Sequence, residues 1–549
     1  MAYPQDFRFW CDWMNWLVVF SNLQDSPSGV PIYTKIVEAV RSAISSALLT
    51  PGDKLPTNRE LSTFLKVDRS TVARAYLELS RLGLIDSQVG RGTFVSGRGG
   101  DVPGEFPGST NARSFNGSVN AFSNGSGTGP VDWNSRYSRY VDGLTGFINR
   151  LPQYGDDDVI SFAGGIPAQD FYPSEEFKKI VRSVLDSERG DRMFDYSPFN
   201  GEPELRQSVI KHLEGKGMSV RPDELLILSG SQQGIDLVSN LLVDPGDCVI
   251  VEEPTYFWAI SNFKARQARL IGCSHDDEGI SLSEVENALR RHAPKFLYLM
   301  PNNQNPTGRT ISLARRKALV ELCARYGTPI LEDDYSGDLS YDGDPLPTLH
   351  SLSPNKDLVI YQGTFSKALC PGVRLGWLVG PAAVMEKLSF AKRTSDLATN
   401  SMAQVILNEF LTRGLYQEHL SRVNAVYKRR RDTMVASLEQ EFKAYPGVSF
   451  IKPSGGLFLW LTLPAGLSNR DLLNYARQEK VVFSPGDLCF TEATGLNHLR
   501  LCFIQNDEAT TRSGIARLAR AYGKYIDYVN ASALGLDSER PRTSNHVLI

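Results

Sequence analysis

The sequence predicts an α/β protein: an open, mostly parallel sheet flanked by helices, with a separate small helical domain ahead of it. Three observations predict this. Beyond residue 159, short apolar runs at 225–228, 248–251, 296–299, 329–333 and 358–362 alternate with helical segments. Such runs are apolar along their whole length, as strands buried on both faces are. Ahead of residue 97, apolar residues instead recur at helical spacing. From 97 to 130, Gly, Ser, Asn and Pro dominate and periodicity is lost, which predicts a flexible linker.

At 549 residues the chain has room for roughly three or four domain-sized cores. A net charge of −3 announces neither nucleic acid nor membrane, although a small basic domain can hide inside such an average. Seven cysteines include no Cys-x-x-Cys pair and no zinc spacing, which predicts a reducing cytoplasm, no disulfide scaffold and no metal site. No apolar run has the length of a membrane span, so no membrane partner is expected. The aromatic stretch 7–20 contains Arg8 and Asp12 and lacks the layout of a signal peptide. Its end, Trp16-Leu17-Val18-Val19-Phe20, reads as a short strand; the earlier tryptophans fit packing onto the domain or an oligomer contact.

The first folded part spans 16–97. Residues 31–48 are helical, with Ile36, Val40 and Ile44 on one stripe, until Pro51-Gly52 breaks the run. Thr57-Asn58-Arg59-Glu60 has the form of a capping box, opening a helix to about Leu65. A tight connection, Lys66-Val67-Asp68, leads to a helix over 69–82 with Val72, Tyr76, Leu79 and Leu82 on its apolar side. Leu84-Ile85 and Thr93-Phe94-Val95 then read as two strands joined through Gln88-Val89-Gly90-Arg91-Gly92. Helix, helix, turn, helix, hairpin is a winged helix-turn-helix order. Arginines at a helix start reach phosphates and guanine edges, and a glycine wing lets backbone amides approach a phosphate.

A linker is assigned to 98–158, its later part (133–154) carrying aromatics that suit a docked helix. The second folded part is assigned to 159–525, and 526–549 to a polar C-terminal tail. In such sheets ligands sit at the carboxyl ends of the strands, and the motifs fall there. Gly230-Ser231-Gln232-Gln233-Gly234 follows one strand and opens a helix, where free amides favour a phosphate. Asp333 and Tyr335, in Glu332-Asp333-Asp334-Tyr335, share one side of a strand end. Thr364, Ser366, Lys367 and Arg374 follow Leu358-Val359-Ile360-Tyr361. An amine, two hydroxyls and a guanidinium are the set that a carbonyl cofactor with a phosphate tail needs: Schiff base on Lys367, phosphate on the hydroxyls and Arg374.

Two resemblances extend this reading. Pro56-Thr57-Asn58-Arg59-Glu60-Leu61, Val67-Asp68-Arg69-Ser70-Thr71-Val72, Ala75-Tyr76-Leu77-Glu78-Leu79 and Gly90-Arg91-Gly92-Thr93-Phe94-Val95 resemble the GntR family in order and spacing. That implies double-stranded DNA contacts from Arg59, Arg69, Ser70, Thr71, Arg91, Gly92 and Thr93. Asp68 departs from the small hydroxyl residue usual there.

The stretch around Lys367 resembles the pyridoxal phosphate (PLP) lysine motif of fold-type I aminotransferases, a fold with a mostly parallel central sheet and a smaller α+β C-terminal subdomain. The resemblance covers most of 159–525. It implies that Tyr256 stacks on the PLP ring, and that Asn305, in Pro301-Asn302-Asn303-Gln304-Asn305-Pro306-Thr307-Gly308, and Tyr335 reach its phenolic oxygen. Asp333 would pair with its nitrogen. Ser231 and Gln232 belong to the phosphate turn, and Tyr196 reaches the phosphate of the neighbouring subunit. Gly165 lies on the substrate side, and Arg500 binds a substrate α-carboxylate.

Together the two parts resemble the MocR family of transcription regulators, known as head-to-tail homodimers. This implies that an amino acid or amine effector displaces Lys367 to give an external aldimine, and that domain closure then shifts the tethered winged helices. A working aminotransferase with an appended DNA-binding domain, and a repressor that senses PLP itself, share every motif. Regulators that sense a γ-amino acid carry an arginine two residues after the stacking tyrosine; Trp258 stands there in this chain, pointing away from an effector with a distal carboxylate.

Overall fold

The computed structural model describes residues 32–96 and 158–533 with short gaps, together with Phe20 and scattered positions between 133 and 144. The chain divides into two compact units, Met1–Val131 and Asp132–Ile549, at a point within the expected linker.

In the first unit, helices Ile32–Ser45, Asn58–Leu65 and Arg69–Arg81 enclose Ile36, Val40, Leu61, Val72 and Leu79, all buried. The capping box forms: the Thr57 amide donates to the Glu60 carboxylate (2.8 Å), and the Glu60 amide donates to the Thr57 hydroxyl (3.2 Å). Two of the orphan donors at that helix start are thereby satisfied. Tyr76, on the apolar stripe, still satisfies its hydroxyl by donating to the Pro56 carbonyl at 2.7 Å. The hairpin strands Ile85–Gln88 and Gly92–Val95 pair antiparallel, and Lys54–Leu55 adds a third strand on the far side of Gly92–Val95. The wing tip at 89–91, with Arg91, lies outside the described residues. So does most of the strand expected at 16–20. Phe20 itself is helical and buried, a correction of the expected strand; a short apolar run does not distinguish strand from buried helix.

The second unit is built on an eight-stranded sheet. Its spatial order is Leu225–Leu228, Gly376–Val379, Val359–Thr364, Ile330–Asp334, Phe296–Leu299, Cys248–Glu253, Arg269–Asp276, Gly279–Ile280. The five expected strands are present. Gly376–Val379 runs antiparallel between Leu225–Leu228 and Val359–Thr364, so the sheet is mixed with a parallel core. A smaller subdomain carries an antiparallel sheet in the order Ser449–Phe450, Phe458–Thr462, His498–Cys502, Ser484–Pro485, packed with long helices Leu415–Glu441 and Glu508–Ala533. Strand Ile160–Ser161 pairs in parallel with Val481–Val482, so the start of this unit is fixed to the subdomain.

The helix Glu508–Ala533 continues eight residues past the expected domain end at 525, which corrects the tail assigned from 526. Ile526, Tyr528 and Val529 pack against the core, and Tyr528 and Tyr525 meet Tyr475. The remaining tail lies outside the described residues. Near the start of the second unit, Arg139–Val141 and Leu144 are helical, and the Arg266 guanidinium lies 5.1 Å from the Tyr140 ring centroid, in agreement with a docked helix there.

Candidate functional site

The carboxyl ends of the parallel strands converge on a cavity of about 180 Å³, lined by Lys367, Asp333, Asn305, Tyr256, Tyr335 and Arg500 among others. They come from several separate elements. Asp333 is the penultimate residue of Ile330–Asp334, and Lys367 lies three residues past Val359–Thr364. Tyr256 precedes helix Phe257–Ala265, and Arg500 is central in His498–Cys502. Asp333 and Tyr335 both face the cavity, as strand alternation requires.

Asp333 is buried, and burial pushes its carboxyl up to about 6, although hydrogen bonding pulls the other way. Its Oδ2 accepts from the Tyr298 hydroxyl at 2.8 Å. Its Oδ1 is buried without a hydrogen-bond partner; Gln362, beside it on the next strand, lowers the carboxyl but does not reach Oδ1 with bonding geometry. A buried orphan oxygen on a carboxylate is costly unless something donates to it. Lys367 Nζ donates to the Gly165 carbonyl at 2.9 Å. Desolvation lowers its amine, and the Arg500 and Arg374 charges lower it further, which favours the nucleophilic neutral form.

The anion side is built around residues 229–231. Gly230 has φ +97°, and a Cβ there would lie 2.5 Å from an Arg374 nitrogen. The turn thus needs glycine both for its backbone and for the close approach of the guanidinium. Arg374 Nη2 donates to the Ser229 carbonyl at 3.2 Å, and Ser231 opens helix Ser231–Leu242 with its free amides. Thr364 and Ser366 hydroxyls lie 3.0 Å apart beside the Leu375 carbonyl. The Gln232 side-chain oxygen accepts from the Tyr256 hydroxyl at 3.2 Å.

Sequence reading missed the support behind this turn. Asp396 Oδ2 accepts from the Ser229 hydroxyl and from Gln233 Nε2, both at 2.8 Å, and Oδ1 accepts from Lys392 at 2.9 Å. Asp396 ends helix Ala382–Asp396, far away in sequence, and no local pattern marks it.

Arg500 is buried and sandwiched: its guanidinium carbon is 4.1 Å from the Phe458 ring centroid and 5.5 Å from that of Phe257. Nη1 donates to Asn305 Oδ1 and Nη2 to the Ala163 carbonyl, each at 2.9 Å, while Nε is buried without a partner. Tyr335 donates its hydroxyl to the Asn303 carbonyl at 2.7 Å, which ties it to the asparagine loop. Tyr196 is 80% exposed and does not line this cavity.

On the first unit, Arg59, Arg69 and Ser70 are exposed at the starts of their helices, and Thr71 and Thr93 are half-buried. Gly92 begins its strand. The Asp68 carbonyl accepts from the Thr71 amide at 3.0 Å and so begins the Arg69–Arg81 helix.

The cavity has an amine, an unpaired buried carboxylate oxygen, an aromatic ring and an anion turn, which fits a phosphate-bearing pyridine aldehyde. The class defined by fold and site is an aminotransferase-type domain joined to a winged helix. Residues 157–518 match the family of class I and II aminotransferases, and residues 32–95 match the bacterial regulatory proteins of the gntR family. The crystal structure of LysN, an α-aminoadipate aminotransferase from Thermus thermophilus complexed with N-(5'-phosphopyridoxyl)-L-leucine, superimposes with a TM-score of 0.67 at 34% identity. It covers 72% of this chain and 100% of its own. Over the full domain pair, the chain is 28% identical to an uncharacterized HTH-type transcriptional regulator, YisV, of Bacillus subtilis (90% of this chain, 96% of that protein). It is 25% identical to a probable rhizopine catabolism regulatory protein, MocR, of Rhizobium meliloti (93% and 97%). The chain belongs to the class I and II aminotransferase family, and its GntR domain gives it the same domain pair as the MocR protein it resembles. Among the described residues no helix is long and apolar enough to cross a membrane, and no cluster suits a metal ion.

Proposed function

We propose that this chain is a PLP-binding transcription regulator that binds double-stranded DNA through its winged helix and responds to an amino acid or amine. The observation that carries the reading is Asp333 Oδ1, buried and unpartnered, in one cavity with Lys367, on a chain that also holds a GntR domain. When bound, PLP supplies an electron sink. Asp333 would hold the ring nitrogen's proton at Oδ1, and Tyr256, Asn305 and Tyr335, which line the same cavity, would hold the ring. Ser231, Gln232, Thr364, Ser366 and Arg374 hold the phosphate, with Tyr196 serving the neighbouring subunit's phosphate in a head-to-tail homodimer. Lys367 supplies the attachment point. Arg500 and Gly165 hold the effector, its α-carboxylate on the guanidinium edge that includes the unpartnered Nε.

Arg59, Arg69, Ser70, Thr71, Arg91, Gly92 and Thr93 supply the DNA contacts. Effector binding favours one dimer shape over another, and the differential affinity sets how far DNA binding shifts. The test is DNA affinity for the chain's own upstream region, with and without PLP, across a panel of amino acids. A response to PLP plus an amino acid, lost in Arg500→Ala while PLP stays bound, supports the reading. A response to PLP alone gives the cofactor-sensing repressor instead. Because the cavity retains amine, carboxylate and arginine together, rapid turnover with a keto acid, with no DNA binding, makes the chain an aminotransferase.

A further inference from the structure

Resting on that reading, we infer that the ligand taken at Arg500 is an α-amino acid with an uncharged, apolar side chain, received by a platform of Ile166 and Trp258. Among the described residues lining the cavity, two are cations, Lys367 and Arg500. The first is the attachment point. The second already donates to Asn305 and Ala163, which leaves its remaining edge for one carboxylate.

Beside the polar residues Ser231, Tyr256, Asn305 and Tyr335, the lining holds five apolar residues: Ile166, Phe257, Trp258, Met300 and Phe458. Trp258 is partly buried and packs against the cluster of Phe257, Leu488 and Cys489, which supports its ring. Ile166 is the opposite case. It lines the cavity yet stays 52% exposed, a large aliphatic side chain left in water at the rim. Its position is not slack, since Gly165 beside it is pinned. A Cβ on Gly165 would stand 2.9 Å from the Phe458 ring, so the backbone there lies close against that ring.

An apolar ligand side chain between Ile166 and Trp258 removes apolar surface of both from water. A distal carboxylate there would be desolvated against rings, with no further cation among the described lining residues to pair it. The Thermus relative is named for α-aminoadipate, a diacid; this cavity offers no second cation for one among the described residues.

The experiment uses the full-length protein loaded with PLP and titrated with L-alanine, L-leucine, L-phenylalanine, L-glutamate and L-2-aminoadipate, followed by absorbance and calorimetry. Leucine or phenylalanine should bind at least tenfold more tightly than alanine, with the two diacids no tighter than alanine. Trp258→Arg should shift the glutamate-to-leucine affinity ratio at least tenfold toward glutamate. Glutamate or 2-aminoadipate binding the unaltered protein as tightly as leucine overturns the inference and leaves the parent reading standing, because alanine and PLP still bind. If alanine also fails to bind and borohydride fixes no PLP on Lys367, both fall together.

Discussion

The cavity and the winged-helix surface use charge in opposite ways. In the cavity, Asp333, Lys367 and Arg500 are withdrawn from water, and each has its ionisation or its geometry set by neighbours. On the first unit, Arg59, Arg69 and Ser70 stand in solvent. Desolvated groups carry large energetic signatures, and single substitutions there should act almost as switches. Exposed groups wait for a partner to desolvate them, so their substitution should be nearly silent until DNA is added. The difference teaches where structure can identify function unaided: inside, an orphan atom betrays a missing partner; outside, water satisfies every group.

The sharpest way to break this contrast is Lys367→Ala. It should abolish covalent retention of PLP after borohydride reduction, read by peptide mass. Retention at another lysine would show that the cavity is not the attachment site.

Asp333→Asn tests the desolvation of the acid in the cofactor-free protein. The folded carboxyl titrates at about 6 against an ordinary 3.8, so the folded state binds its proton more tightly than the unfolded state. Its contribution therefore favours folding at low pH and is lost as pH rises from about 4 to about 6, by roughly 3 kcal/mol at 1.36 kcal/mol per unit. The variant's stability relative to the parent should rise across that window and level off above it. A pH-independent gap in urea melts would refute the burial argument.

At the other surface, Arg69→Ala should cost on the order of 1–3 kcal/mol of specific DNA affinity while leaving the melting temperature unchanged. Equal losses on specific and random DNA would make it a phosphate contact only.

The smallest effect is structural. Thr57→Ala removes one half of the capping box and should cost about 1 kcal/mol of first-unit stability. A larger loss of DNA binding than of stability would move Thr57 itself into the interface.

Much of this was legible beforehand for physical reasons. Strands buried on both faces have unbroken apolar runs, which is why 225–228 and 296–299 are unmistakable. The Lys367, Asp333, Asn305 and Arg500 motifs are local in sequence, and the cavity brings all four together. What escaped lacked a local signature. Lys54–Leu55 is two residues long, and its pairing with Phe94 and Thr93 is decided by the hairpin. Gly376–Val379 begins two residues after Arg374, and the apolar run alone does not give its antiparallel sense. The helix beyond 525 looks polar until its tyrosines find Tyr475. Asp396 matters only because the fold delivers it to Ser229.

The bond from Lys367 to the Gly165 carbonyl has a mechanical consequence. Gly165 lies four residues beyond Ile160–Ser161, the strand that docks against Val481–Val482. Four residues span at most about 14 Å, too short to absorb much slack. When the amine turns to another bond, that carbonyl loses its donor, and the nearest anchored structure to register the loss is that strand. The lysine is thus latched, within a few residues, to a strand that the smaller subdomain holds.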